Sequence, residues 1–177
     1  YIYFVKKDLI SNEEVLLLQS KSQPNNEVYQ SKNNVIKNLK YEISVQKQND
    51  YLINSDLSEI FVKDGIEIVL MQIVTAKIID ENNNLLIINS DNARFNSKNY
   101  NTNFENNIKI EYLGNTIHAE NVLLDFEKRY ILISKNVMYE GQNGNLKTDN
   151  IKINLITKHI DIFMNNNKKN IEATLTK

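Results

Sequence analysis

Two histidines, three evenly spaced acids and scattered hydroxyls are the side chains here whose type could carry chemistry. His118 and His159 fall at different phases of the repeat described below, so symmetry does not pair them, and each reads as a surface strand residue. Ser and Thr have no neighbouring base to activate them. There is no Gly-rich phosphate loop, no G-x-S-x-G and no H-E-x-x-H. The chain has no Cys, which removes disulfides, Cys-zinc sites and thiol catalysis. Asp91, Glu120 and Asp149 recur every 29 residues, each followed by Asn. Stacked units would bring these carboxylates into a ladder, and a hard cation such as Ca²⁺ wants several oxygens. The Gly-rich Asp motif of such sites is missing, so the acids read instead as short polar side chains that bond the backbone at a corner. No catalytic residue, metal or cofactor is assigned.

The elements that position these residues form a repeat. Shifted by 29, Ile88, Ile117 and Leu146 coincide, as do Ala93, Val122 and Ile151, then Phe95, Leu124 and Ile153. Phe104, Ile133 and Ile162 follow, with Asn107 on Asn136 and Ile108 on Val137. Apolar positions keep their character while the alternate ones vary, which is what a shared buried face imposes. Within each unit the period is two, as in Val122-Leu124-Phe126 and Ile151-Ile153-Leu155, so the units are strands. Turns are signalled at Glu81 to Asn84, Leu113 to Asn115, Glu127 to Arg129 and Gly141 to Asn145. Each unit is two strands and two corners. In "NTIHAENVLLDF" the set Ile117-Ala119 is out of phase with Val122-Leu124-Phe126, and the slip falls at Glu120-Asn121. A β-bulge or sharp corner there would return both halves to one interior.

The earlier half is less regular. Leu39, Tyr41, Ile43 and Val45 alternate cleanly. "GIEIVLMQIVTAKII" has a continuous apolar middle, expected of a strand covered on both faces, with a short buried helix as the alternative. "SNEEVLLLQ" has the cap and spacing to start a short helix. Ser20 to Asn34 holds the one Pro and reads as a loose connection. The organisation expected is an N-terminal segment over 1–34 and one β domain over 35–177.

With 177 residues, 41% hydrophobic and 24% charged, the chain can bury one sizeable core. A net charge of −1 lacks the basic face a phosphate-tracking protein needs, so nucleic acid is not an expected partner. No stretch reaches the ~20 apolar residues of a membrane span. Tyr1 to Val5, followed by Lys6 and Lys7, reads either as the stump of a membrane helix or as a short first strand or loose end.

The strongest feature is therefore the apolar face. If a curved sheet leaves it partly unfilled, it becomes a slot for acyl chains, each buried CH₂ contributing ~0.8 kcal/mol. If it packs on itself, it is only a core. The unit "F-x-x-N-I-x-I-x-x-x-G-x-x-I-x-A-E-N-V-x-L-D", Phe104 to Asp125, resembles the repeat of the lipopolysaccharide-transport family of LptA, LptC and the periplasmic part of LptD. Ile133 to Asn154 repeats it, and "NDYLINSDLSEIF" is similar to the opening of LptC, although Leu57-Ser58 departs from the usual small residue. The resemblance covers roughly Leu39 to Phe163, and the apolar-then-Lys-Lys start fits an LptC-like anchored protein.

The resemblance implies an all-β fold, a single twisted antiparallel β-jellyroll open along one side. It implies a non-enzymatic carrier in the periplasm, anchored to the inner membrane of a Gram-negative bacterium. The partners implied are lipopolysaccharide through its lipid A acyl chains, an inner-membrane ABC transporter, and an LptA-like bridge protein joined by edge-strand pairing. The inward repeat positions expected to line the groove are Phe95, Phe104, Ile108, Ile110, Ile117, Val122, Leu124, Ile131, Ile133, Val137, Tyr139, Leu146, Ile151 and Ile153. The expected docking edge is Ile160, Ile162 and Met164, with Ile171 to Leu175 beyond. Two rivals stand beside this: a structural β-repeat with a filled core, and a short β-helix enzyme acting on polysaccharide.

Overall fold

The computed structural model describes residues 8–9, 34–45, 49–80, 82–166 and 170–175. The expectations for the first residues, the capped segment at 11–19 and the Pro-containing connection fall outside them, apart from Asp8–Leu9 and Asn34. The described residues form eleven strands: β1 (Asp8–Leu9), β2 (Asn34–Val45), β3 (Asn49–Lys63), β4 (Ile66–Ile79), β5 (Leu85–Asn96), β6 (Thr102–Tyr112), β7 (Asn115–Asp125), β8 (Tyr130–Gly141), β9 (Gly144–Asn154), β10 (Ile160–Phe163) and β11 (Glu172–Leu175). No helix occurs among the described residues. The strands make one antiparallel sheet in chain order from β1 to β10, and β11 joins the same edge of β9 as β10. A parallel β-helix is thereby excluded, since its strands would run the same way. Asp8–Leu9 also belong to the sheet, paired with Ile36 and Lys37 of β2.

The sheet folds onto itself along a line of left-handed residues at the middle of its long even-numbered strands. Asn38 in β2 and Ile73 in β4 take left-handed φ of 52°, and β6 and β8 each carry a left-handed pair, Asn106-Asn107 and Lys135-Asn136. Between them stand the acids of the odd strands. Asp56 lies between Asn38 and Ile73, and Asp91 between Ile73 and the β6 pair, as the flanking registers fix. The registers shift from β5 through β9 at these positions. The slip expected at Glu120-Asn121 is present: Ala119 and Val122, three apart, are both buried. The extra residue of the bulge, however, sits on the neighbouring strands β6 and β8.

The acids do not bond their own backbone. Asn107 donates its amide to Asp91 Oδ2 at 2.6 Å, and Asn136 donates to Glu120 Oε1. Asp149 Oδ2 accepts the Asn165 backbone N–H at 3.0 Å. Asn107, Asn136 and Asn165 are again 29 apart: at Asp91 and Glu120 the partner is an Asn side chain of the next strand, and at Asp149 it is the backbone of Asn165, two residues past β10. Asn tolerates left-handed φ better than other L residues, which explains its place there. Under the bend, Ser90 and Thr148 cap the carbonyls of Asn92 and Asn150.

The wide corners repeat with the same period. Asn96, Asp125 and Asn154 each accept a backbone N–H from two or three residues on, and Tyr100, Arg129 and Lys158 are each left-handed. The tight hairpins use Asp64-Gly65 and Leu113-Gly114, both residues with positive φ, as a twisted two-residue turn requires. β4 is a strand throughout but is not covered on both faces, because Leu70 and Ile73 on its outer side are exposed.

Candidate functional site

The two leaves produced by the bends enclose one apolar core. Tyr41 of β2 meets Phe95 of β5 with ring centroids 4.5 Å apart, and Tyr51 of β3 donates its hydroxyl to Thr102 Oγ1 of β6 at 3.1 Å. These strands are not neighbours in the sheet, so the contacts cross from leaf to leaf. Tyr51, Tyr100 and Phe126 add further ring contacts at 5.9–6.3 Å near the same end. Burial pushes the Tyr51 phenol far above its ordinary pKa, and the bond to Thr102 offsets part of that. It stays a neutral donor at every physiological pH.

Ten of the fourteen residues expected to line the groove are buried: Phe95, Phe104, Ile108, Ile110, Val122, Leu124, Ile131, Ile133, Val137 and Ile151. Ile117, Leu146 and Ile153 are half-buried and pack against this cluster, while the half-buried Tyr139 donates its hydroxyl to Asn115 Oδ1 at 2.8 Å. At the centre the leaves touch and the core is filled, with Phe95, Phe104 and Val122 at 0% exposure. Toward β9 the same inner face becomes progressively open. Register places Ile160 opposite Ile153, Ile162 opposite Ile151, and Ala173 opposite Leu146. The lining thus runs on to the edge strands, where Ile160 is 55% and Leu175 83% exposed. Met164 lies one residue past β10 and turns its sulfur to Thr148 Oγ1 at 3.5 Å, away from the outer edge.

The chemistry available to this interior is apolar contact. The buried hydroxyls have partners: Ser55 bonds Ser58, and Ser90, Thr102 and Thr148 bond as described. No buried side-chain polar atom among the described residues lacks a hydrogen bond. The one buried acid among the described residues, Asp125, sits at a corner, where it accepts the Lys128 N–H at 2.9 Å and faces that residue's ammonium at 3.9 Å. Both histidines are exposed, and His159 Nε2 contacts Asp161 Oδ1 at 3.0 Å. No group of three or more His, Asp or Glu among the described residues is arranged to hold a metal ion.

Sequence reasoning missed the cross-strand clamp. The signal was present in the 29-residue recurrence of Asn107 and Asn136, but spacing alone does not show that an acid bonds the Asn 16 residues later. It also missed the Asp80 corner, where Tyr112 donates to Asp80 Oδ2 at 2.6 Å and Asn84 donates at 3.0 Å, holding the carboxyl well below its usual range. The Tyr112 phenol is raised by the same contact.

No curated protein matches the chain closely enough to carry an argument. Residues 9–167 match the family described as lipopolysaccharide-assembly, LptC-related. With nearly the whole antiparallel roll inside that match, the chain belongs to the LptC-related lipopolysaccharide-assembly family.

Proposed function

We propose that this protein is a periplasmic carrier that takes lipid A acyl chains from an inner-membrane ABC transporter and passes them to the next β-jellyroll of an envelope-spanning bridge. The observation that carries this reading is the inner face itself. It is predominantly apolar from β2 to β9, sealed at the centre and uncovered at β9 to β11. An acyl chain entering at the uncovered end meets Leu146, Ile153, Ile160 and Ile162 before it reaches the sealed part. Each CH₂ buried there contributes ~0.8 kcal/mol, so a bundle of acyl chains has ample affinity without any charged contact. The groove residues act by contact and hold no reacting group. The neighbouring roll joins at the C-terminal edge by strand pairing, where backbone groups supply the bonds. Anchoring to the inner membrane is part of the same reading.

The sealed centre also suits a purely structural roll, and one titration separates the two. Purified protein, titrated with lipopolysaccharide and followed by intrinsic tyrosine fluorescence or calorimetry, is expected to bind saturably. Ile153→Asp should weaken that binding at least tenfold with the fold intact by circular dichroism. Absence of saturable binding would leave the filled-core roll as the better account.

A further inference from the structure

Resting on the docking-edge reading above, we infer that β10 and β11 are an internal stand-in, and that the true docking surface is the edge of β9, residues 144–154, which a continuous bent strand of another roll occupies by displacing at least β11. β9 is the last full-length strand, eleven residues long, with a register shift at Asp149 like those at Asp91 and Glu120. Its outer edge is covered in two pieces of four residues. β10 pairs with residues 150–153, and β11 with residues 144–147. Phe163 faces Asn150 and Glu172 faces Lys147, so eight intervening residues of chain span what two span on β9. All eight residues of the two pieces are exposed.

This broken edge is a poor template for a further strand. A strand paired outside it would find four consecutive residues, then a gap. The edge of β9 beneath offers a continuous, correctly bent ladder. It is held at Gly144, whose φ of +147° and close contact with the Thr174 carbonyl leave no room for a Cβ. β11 fits there closely, yet it contributes few buried apolar atoms, because its inward residues are Ala173 and the 83% exposed Leu175.

The bend tells what kind of strand fits. Acid-bearing strands alternate with strands that carry a left-handed residue, and the next position after β9 belongs to the second kind. At Asp91 and Glu120 the neighbour supplies an Asn amide. At Asp149 the stand-in supplies only the Asn165 backbone N–H, while the Asn165 side chain bonds Asn150 instead. The first long strand among the described residues, β2, has the matching form, with left-handed Asn38 opposite Asp56, and among those residues β1 pairs with Ile36 and Lys37 of it. A first long strand of that type on the incoming roll would continue the alternation and the sheet.

The test locks β11 in place. Thr174 and Asn145 are direct cross-strand partners on the outer face, both exposed, and the chain has no other Cys. Asn145→Cys with Thr174→Cys is therefore a single reducible clasp within disulfide reach. Binding of the soluble bridging β-roll from the same organism is measured with the clasp reduced, with it oxidised, and after deletion of residues 171–177. The expected result is parental affinity when reduced, at least tenfold weaker binding when oxidised, recovery on reduction, and at least threefold tighter binding on deletion. Equal affinity in the reduced and oxidised states, with cross-links from the partner to Asp161 or Phe163 of β10, would overturn the stand-in and leave the docking edge standing. No binding in any state would overturn both.

Discussion

At the residue scale, the bend is where this sequence departs from what its backbone prefers. Asn fills the left-handed position at Asn38, Asn107 and Asn136, but β4 places Ile73 there, at φ 52° and 66% exposed. A left-handed β-branched residue costs about 1–2 kcal/mol relative to a relaxed conformation, and exposure returns little of it. Ile73→Asn should therefore stabilise the protein by about 1 kcal/mol in a urea melt, and should restore the acid–Asn clamp toward Asp56 or Asp91. A loss of stability would mean the outer face of β4 depends on that isoleucine. The Asp80 corner makes a second residue-scale prediction. The carboxyl is depressed by bonds from Tyr112 and Asn84. A depressed carboxyl contributes stability above its unfolded pKa and loses it as pH falls through the lower folded value. Tyr112→Phe should move the Asp80 titration, read by carboxyl carbon NMR, up toward the ordinary aspartate range. The raised Tyr112 phenol works in the other direction: its contribution is complete below about pH 10 and fades as pH climbs through its folded value.

At the element scale, the unit of construction is a bent hairpin whose two arms face one interior. The clamp between odd and even strands can be dissected at Asn136. Asn136→Gly keeps the left-handed backbone but loses the amide to Glu120, whereas Asn136→Ala loses both. The Ala variant should be less stable than the Gly variant by about 1 kcal/mol in thermal melts. Equal losses would show that the amide, and not the backbone, decides. Much of this level was legible in the sequence. Ile117-Ala119 against Val122-Leu124 disclosed the phase slip, and the 29-residue recurrence disclosed the unit. What was hidden was which strand carries the extra residue. A phase slip is visible only where the flanking residues are apolar, and on β6 the spacing from Phe104 to Ile108 is even, so its two left-handed residues leave no trace in the pattern. The continuous apolar run in β4 misled for a related reason: Leu70 and Ile73 are apolar but outward, and apolarity alone does not assign a face.

At the scale of the whole molecule, the roll is closed in the middle and open at its last strands, and its energetics should follow that gradient. Phe104→Ala, in the sealed centre, should cost about 3–5 kcal/mol. Ile153→Ala, at the half-buried end, should cost less than about half of that and weaken lipid binding more than stability. Comparable losses at both sites would remove the distinction between a sealed and an uncovered end. The inward positions were legible because strand parity fixes them. The gradient was not, because exposure at Ile153 and Ile160 depends on how many strands follow on each leaf, and no local pattern records that. The central claim is that acyl chains run along this inner face. A photo-reactive residue placed in turn at Leu146 and Ile153 on the uncovered inner face, and at Leu123 and Leu132 on the outer face, tests it most directly in cells exporting lipopolysaccharide. The account predicts lipopolysaccharide adducts from the inner positions and none from the outer pair; adducts from Leu123 and Leu132 alone would contradict it.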